Sequence, residues 1–117
     1  MTLGWKLDRA QRDTLLAALP PRYELSVADH VTLSVKGSEL PEPVTTSAIV
    51  GHADDGRGVE AYVVEINGST TRPDGGTWHI TWSLAEHRAA KESNDVIADL
   101  GWTCTPQIAV TLLPAHW

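Results

Sequence analysis

Two six-residue segments of the chain carry the same order of side-chain types. The first is His30-Val31-Thr32-Leu33-Ser34-Val35 and the second is His79-Ile80-Thr81-Trp82-Ser83-Leu84. Each reads histidine, apolar, threonine, apolar, serine, apolar. Alternation with a period of two predicts a strand, with His, Thr and Ser on one face and the apolar residues anchoring the other. These strands are expected over 29–36 and 77–84.

Residues i and i+2 of a strand lie about 7 Å apart on one face, so each segment presents an imidazole beside a hydroxyl. Two such strands lying near each other would bring two imidazoles and two hydroxyls to one cleft. An imidazole titrates near 6.5, so a neutral and a protonated ring can coexist near pH 7 as general base and general acid. Hydroxyls donate to phosphate oxygens. The set suits attack of water on a phosphodiester without a metal: one histidine takes a proton from water and the other gives one to the leaving oxygen.

The rest of the chain reads as a frame for these strands. A first helix is expected over 7–19, with Asp8 as N-cap, Leu15, Leu16 and Leu19 as its apolar stripe, and Pro20-Pro21 as its stop. Residues 23–27 connect to the first motif strand. A loop over 37–43 precedes a strand over 44–52, a turn over 54–58 and a strand over 59–66, read together as a hairpin. The polar segment 67–76 is a loop. A helix over 94–100, capped at Ser93 or Asn94 and ended by Gly101, follows a segment 85–91 that reads equally as helix or loop. The last strand is expected over 107–113.

Length and charge narrow what the frame can serve. The 117 residues suffice for one domain, 1–117, with 42% hydrophobic and 21% charged residues, as in ordinary globular chains. No apolar run reaches membrane-spanning length, and the first residues lack the basic-then-apolar pattern of a signal peptide. A single cysteine, Cys104, cannot make an internal disulfide or a cysteine-based zinc site, so a reducing, cytoplasmic setting is the expectation. Nine Lys and Arg against fifteen Asp and Glu give a net charge of −6. That excludes a broad grip on duplex nucleic acid, but not one phosphate held in one pocket.

The paired motifs resemble the signature of the two-histidine (2H) phosphoesterase superfamily, and within it the cyclic phosphodiesterase domain of fungal-type tRNA ligases and its small bacterial and phage relatives. Three further stretches support the resemblance: Leu19-Pro20-Pro21, Val59-Glu60-Ala61 and Glu92-Ser93-Asn94. It implies an α+β fold, compact and bilobal with pseudo-twofold symmetry, built of antiparallel strands with flanking helices. It implies hydrolysis of a 2′,3′-cyclic phosphate at an RNA 3′ end or on a nucleotide, usually to a 2′-phosphate, in RNA repair or processing. His30 and His79 become the acid–base pair, and Thr32 and Thr81 the phosphate donors. The motif does not say which histidine is base; His79 as base and His30 as acid is the working assignment. No metal or cofactor is implied. Ligase and kinase steps would come from separate proteins, and a monomer away from membranes is expected. The motifs lie 49 positions apart, short for this superfamily, so a shallower, more open cleft is expected.

Single residues carry competing readings. Arg72, in the loop before the second motif, is either a phosphate clamp or a solvated loop arginine. Lys36, Arg88 and Lys91 read as surface charge, His52 as structural, and His87 and His116 as exposed. Trp78 and Trp82 read as core. Trp5, Trp102 and Tyr23 are candidates to stack a base at the cleft rim. Cys104 reads as a buried small apolar residue. Two other functions fit the motifs: hydrolysis of cyclic di- or oligonucleotide signals, and binding of an RNA end without chemistry.

Overall fold

The computed structural model describes all residues, Met1–Trp117. Eight strands and two helices follow in the order β1 (Leu3–Leu7), α1 (Arg9–Ala18), β2 (Leu25–Ser26), β3 (His30–Ser34), β4 (Ser47–Asp54), β5 (Val59–Ile66), β6 (His79–Leu84), α2 (Glu92–Leu100), β7 (Thr103–Ala109) and β8 (Leu112–His116). All strand pairs are antiparallel and belong to one sheet, ordered β7-β4-β5-β6-β3-β1-β8, with β2 pairing the far end of β6. The α+β class expected from the sequence is therefore the class observed. No helix is long and apolar enough to cross a membrane.

The sheet is strongly curled. β7 and β8 form its two edges, yet only Val110 and Thr111 separate them in the chain. A flat sheet of seven strands would hold its edges about 29 Å apart at about 4.8 Å per strand. Three Cα steps reach at most about 11 Å, so the edges must be brought together. Val110 N–H donates to Ser47 O (3.0 Å) and Asp8 N–H to Thr111 O (3.0 Å), which ties this crossing to β4 and to the start of α1.

The two faces bury separate clusters. On the inner side Leu15 of α1 packs with Trp5, Leu7, Val31, Ile49, Tyr62, Ile80 and Trp82. Trp78 and Trp82 lie in this core as expected, with Trp78 edge-on to Trp5 and Trp82 edge-on to Tyr62. On the other side Val96 and Ile97 of α2 cover Ala53, Val59, Ala61, Val63 and Leu84. Tight packing of apolar faces on both sides leaves little freedom in the strands between them.

Several local expectations are corrected. The chain at Leu7 is the end of a strand, and the helix begins at Arg9; Asp8 caps it by accepting from Gln11 N–H (3.0 Å). Leu3, Trp5 and Leu7 alternate into the core, a period-two signal too short to compete with the helical stripe beside it. Gly4 lets β1 approach β3: a Cβ there would sit 2.0 Å from Val31 O. The strand expected over 44–52 runs Ser47–Asp54, and the motif strands are shorter than expected, at His30–Ser34 and His79–Leu84. α2 begins at Glu92 after Lys91, so neither Ser93 nor Asn94 caps it, while Gly101 ends it with φ +72° as expected. Residues 85–91 form turns rather than a helix. The expected last strand is two strands broken at Val110-Thr111. β5 and the β4–β5 hairpin match the reading.

Candidate functional site

The two motif strands are neighbours in the sheet. β3 pairs β6 antiparallel with Val31 opposite Ile80. His30 and Thr32 flank Val31 in one strand, and His79 and Thr81 flank Ile80 in the other, so the four lie around this single pair. Val31 and Ile80 point into the inner core, so the four polar residues share the opposite face. That face is the floor of a cleft of about 680 Å³, walled by the loop at Arg72 and Asp74, by Lys91 and Asn94 of the α2 entry, and by Trp117. His30, Thr32, Arg72, His79 and Thr81 all line it.

The chain turns into β3 under constraint. Ala28, fully buried, has φ +40°, a backbone region that a side-chain-bearing residue rarely adopts. Its N–H donates to Thr81 O (2.9 Å), and Arg12 of α1 donates to Ala28 O (2.8 Å) and Val27 O (3.0 Å). The first motif is thereby stitched to the second just before His30.

The two imidazoles have unlike partners. His79 is nearly buried and its Nδ1 lies 2.8 Å from Thr77 O, so the ring donates there and carries its lone pair on Nε2. Burial pushes its pKa below the ordinary 6.5, with the positive charges of Arg72 and His30 adding to the effect and the Thr77 carbonyl opposing it. His30 is half-buried, and its Nδ1 lies 3.0 Å from the Asp29 carboxylate. Burial alone would raise the Asp29 pKa, but hydrogen bonds from Lys6, His30 and Arg9 outweigh it and hold the carboxyl well below its usual range. One ring thus has a neutral carbonyl behind it and the other an ionised carboxylate.

The remaining cleft groups are also held. Thr81 Oγ1 lies 2.9 Å from the buried Ser93 hydroxyl, which joins the second motif to α2. Arg72 donates to Asp74 (2.8 Å) and to Asn94 Oδ1 (3.1 Å), and its side chain is 11% exposed. The solvated-loop reading of Arg72 is therefore corrected: the guanidinium is docked between loop and helix beside His79. Lys91, read as surface charge, also lines the cleft.

The resemblance of the two segments ends at their fifth position. Ser34 lines the cleft, but Ser83 does not. Between Ala61 and Glu60 the partner on β6 jumps from Thr81 to Ser83, a bulge that rotates Ser83 to the other face. There its hydroxyl donates to Glu60 Oε1 (2.7 Å) and accepts from Tyr23 N–H (3.2 Å). Glu60 is 1% exposed and also accepts from Arg22 N–H (3.1 Å) and contacts His52 Nε2 (2.8 Å). His52 is thus structural, as read. At the first segment, Val35 lies beyond the strand end, is 70% exposed and anchors nothing.

Other expectations fail for reasons of edge and burial. None of the three rim candidates lines the cleft. Trp5 is core and donates Nε1–H to Glu42 O, Tyr23 donates to Asp54, and Trp102 covers Gly51 on β4. The aromatic at the cleft is Trp117, which carries no neighbouring sequence pattern to mark it. Cys104 is exposed, because β7 is an edge strand with most of its side chains in solvent. His87 and His116 are exposed as read. No group of three or more His, Cys, Asp or Glu side chains is placed to hold a metal ion.

No protein-family model, no curated protein and no solved structure matches this chain.

Proposed function

We propose that this chain is a two-histidine phosphoesterase whose cleft hydrolyses a 2′,3′-cyclic phosphate on a nucleotide or RNA 3′ end. The observation that carries the reading is the antiparallel pairing of the two motif strands, which sets both imidazoles and both threonines on one cleft floor with Arg72 beside them. The strands pair at the same place in both motifs, Val31 with Ile80, which is the local twofold relation expected of a pseudo-symmetric 2H domain.

The unlike surroundings of the rings support an assignment of roles. His79, with a free lone pair on Nε2 and a depressed pKa, suits the base. It takes a proton from water as the oxygen bonds to phosphorus. One P–O bond of the cyclic ester breaks, and the leaving ribose oxygen receives the proton of His30. Asp29 holds the His30 ring and supplies a counter-charge to its imidazolium form. Thr32, Thr81 and Arg72 hold the non-bridging oxygens, whose charge grows as water adds. The product keeps its phosphate on the other ribose oxygen.

The test is turnover of a nucleoside 2′,3′-cyclic phosphate by the full chain and by the His30→Ala and His79→Ala variants. Each substitution is expected to lower kcat by about 10²–10⁴. Thr32→Val and Thr81→Val should cost less. Equal turnover by the double histidine variant would refute the proposal.

A further inference from the structure

We infer that Trp117 is the platform on which a nucleobase stacks, so that the ligand of the cleft is a nucleotide rather than a simple phosphoester. The inference rests on the phosphoryl reading of the cleft.

Trp117 differs from the other four tryptophans. Trp5, Trp78 and Trp82 are between 0% and 6% exposed in the core, and Trp102 lies over Gly51, away from the cleft. Trp117 lines the cleft itself and keeps 38% of its surface open. It is nevertheless firmly placed. Its backbone pairs with Thr2 in both directions, at 2.9 and 3.0 Å. Gly4 makes room for the ring, since a Cβ there would come within 3.1 Å of its Cη2 atom. The Lys6 ammonium sits 4.8 Å from the ring centroid, and Lys6 is itself held by Asp29.

The position matters as much as the exposure. The indole centroid is 4.5 Å from that of His30, with the planes inclined by 53°. A partly exposed aromatic ring therefore borders the imidazole assigned to the reacting phosphate. A base joined through its ribose to a phosphate at His30 is within reach of the exposed part of that ring. Every nucleobase has a π-face, so stacking favours nucleotides over base-free esters while remaining tolerant of base identity. Because the ring is already fixed, little of the binding free energy is lost in ordering it.

Titration calorimetry on the full chain tests this with three probes: inorganic phosphate, a base-free ribose phosphate and adenosine 2′-monophosphate. The wild-type chain should bind the nucleotide about tenfold or more tighter than the base-free compound. Trp117→Leu, which keeps apolar bulk but no π-face, should lose about tenfold on the nucleotide and nothing on inorganic phosphate. Trp117→Phe should stay within about threefold of wild type. Equal weakening of all three probes by Trp117→Leu would overturn the inference, since the ring would then act only by supporting His30. Equal affinity of wild type for the nucleotide and the base-free compound would overturn it without recourse to any variant. Nucleotide binding through Trp117 without turnover of cyclic phosphates would uphold the platform and refute the hydrolase. Equally efficient turnover of base-free and nucleoside cyclic phosphates would do the reverse.

Discussion

Ser34 and Ser83 occupy the same place in the two repeated segments, yet they should behave oppositely when changed to alanine. Ser83 is fully buried, donates to the Glu60 carboxylate at 2.7 Å and accepts from Tyr23 N–H at 3.2 Å. Glu60 is itself buried, so Ser83→Ala removes one of the two donors to its Oε1, which keeps only Arg22 N–H, and leaves Tyr23 N–H without its acceptor. Hydrogen bonds to a charged group contribute about 1.5–3 kcal/mol, and a buried group left unpaired loses close to the whole of that. The expected destabilisation is about 2 kcal/mol, or about 8 °C in Tm at about 4 °C per kcal/mol for a domain of this size. Ser34 bonds only locally to Lys36 at an exposed strand end, so Ser34→Ala should stay within about 0.5 kcal/mol of wild type. Urea unfolding followed by tryptophan fluorescence measures both. Ser83→Ala should keep wild-type kcat under conditions where it remains folded. A stable Ser83→Ala variant with lost activity would mean that the serine faces the cleft, and would refute the bulge in β6 as the device that separates the two motifs.

Two further predictions concern the imidazoles. His79 acts as base only when neutral, and its folded pKa lies below the ordinary 6.5. Hydrolysis should therefore be full above that value and fall as pH drops through it, with the acid limb of kcat/KM centred below 6.5. Arg72→Gln removes one positive neighbour and should move the limb upward, but only in part, because burial is the larger cause. A limb above 6.5 in the wild type would contradict the assignment. Asp29→Asn should lower kcat more than it raises KM, since Asp29 positions His30 without touching the substrate. It should also destabilise the fold at pH 7 through loss of the Lys6 and Arg9 ion pairs. Because the Asp29 pKa is depressed from 3.8, its contribution is present above that pH and fades below it, so the wild-type and Asn unfolding curves should converge in acid. A stability gap that stays constant down to pH 2 would show that Asp29 acts through something other than its charge.

Much of this protein follows from local chemistry that the chain states openly. Alternation marks both motif strands and β5, Asp8 marks the start of α1, and Gly101 marks the end of α2, because each depends on backbone geometry within a few residues. Within each motif, period two puts His and Thr on one face before any partner strand is considered. Tertiary structure decided the rest. Which strands become neighbours depends on loop closures and packing across the whole chain, so the pairing of Val31 with Ile80 that joins the two motifs has no local signal. The docking of Arg72 needs Asn94, 22 residues away, and the rim aromatic is Trp117 because its strand closes against β1 beside His30. The bulge that sends Ser83 to Glu60 is likewise set by a partner strand. A six-residue repeat in sequence thus becomes a four-residue repeat in space, since alternation holds only while the neighbouring strand keeps register.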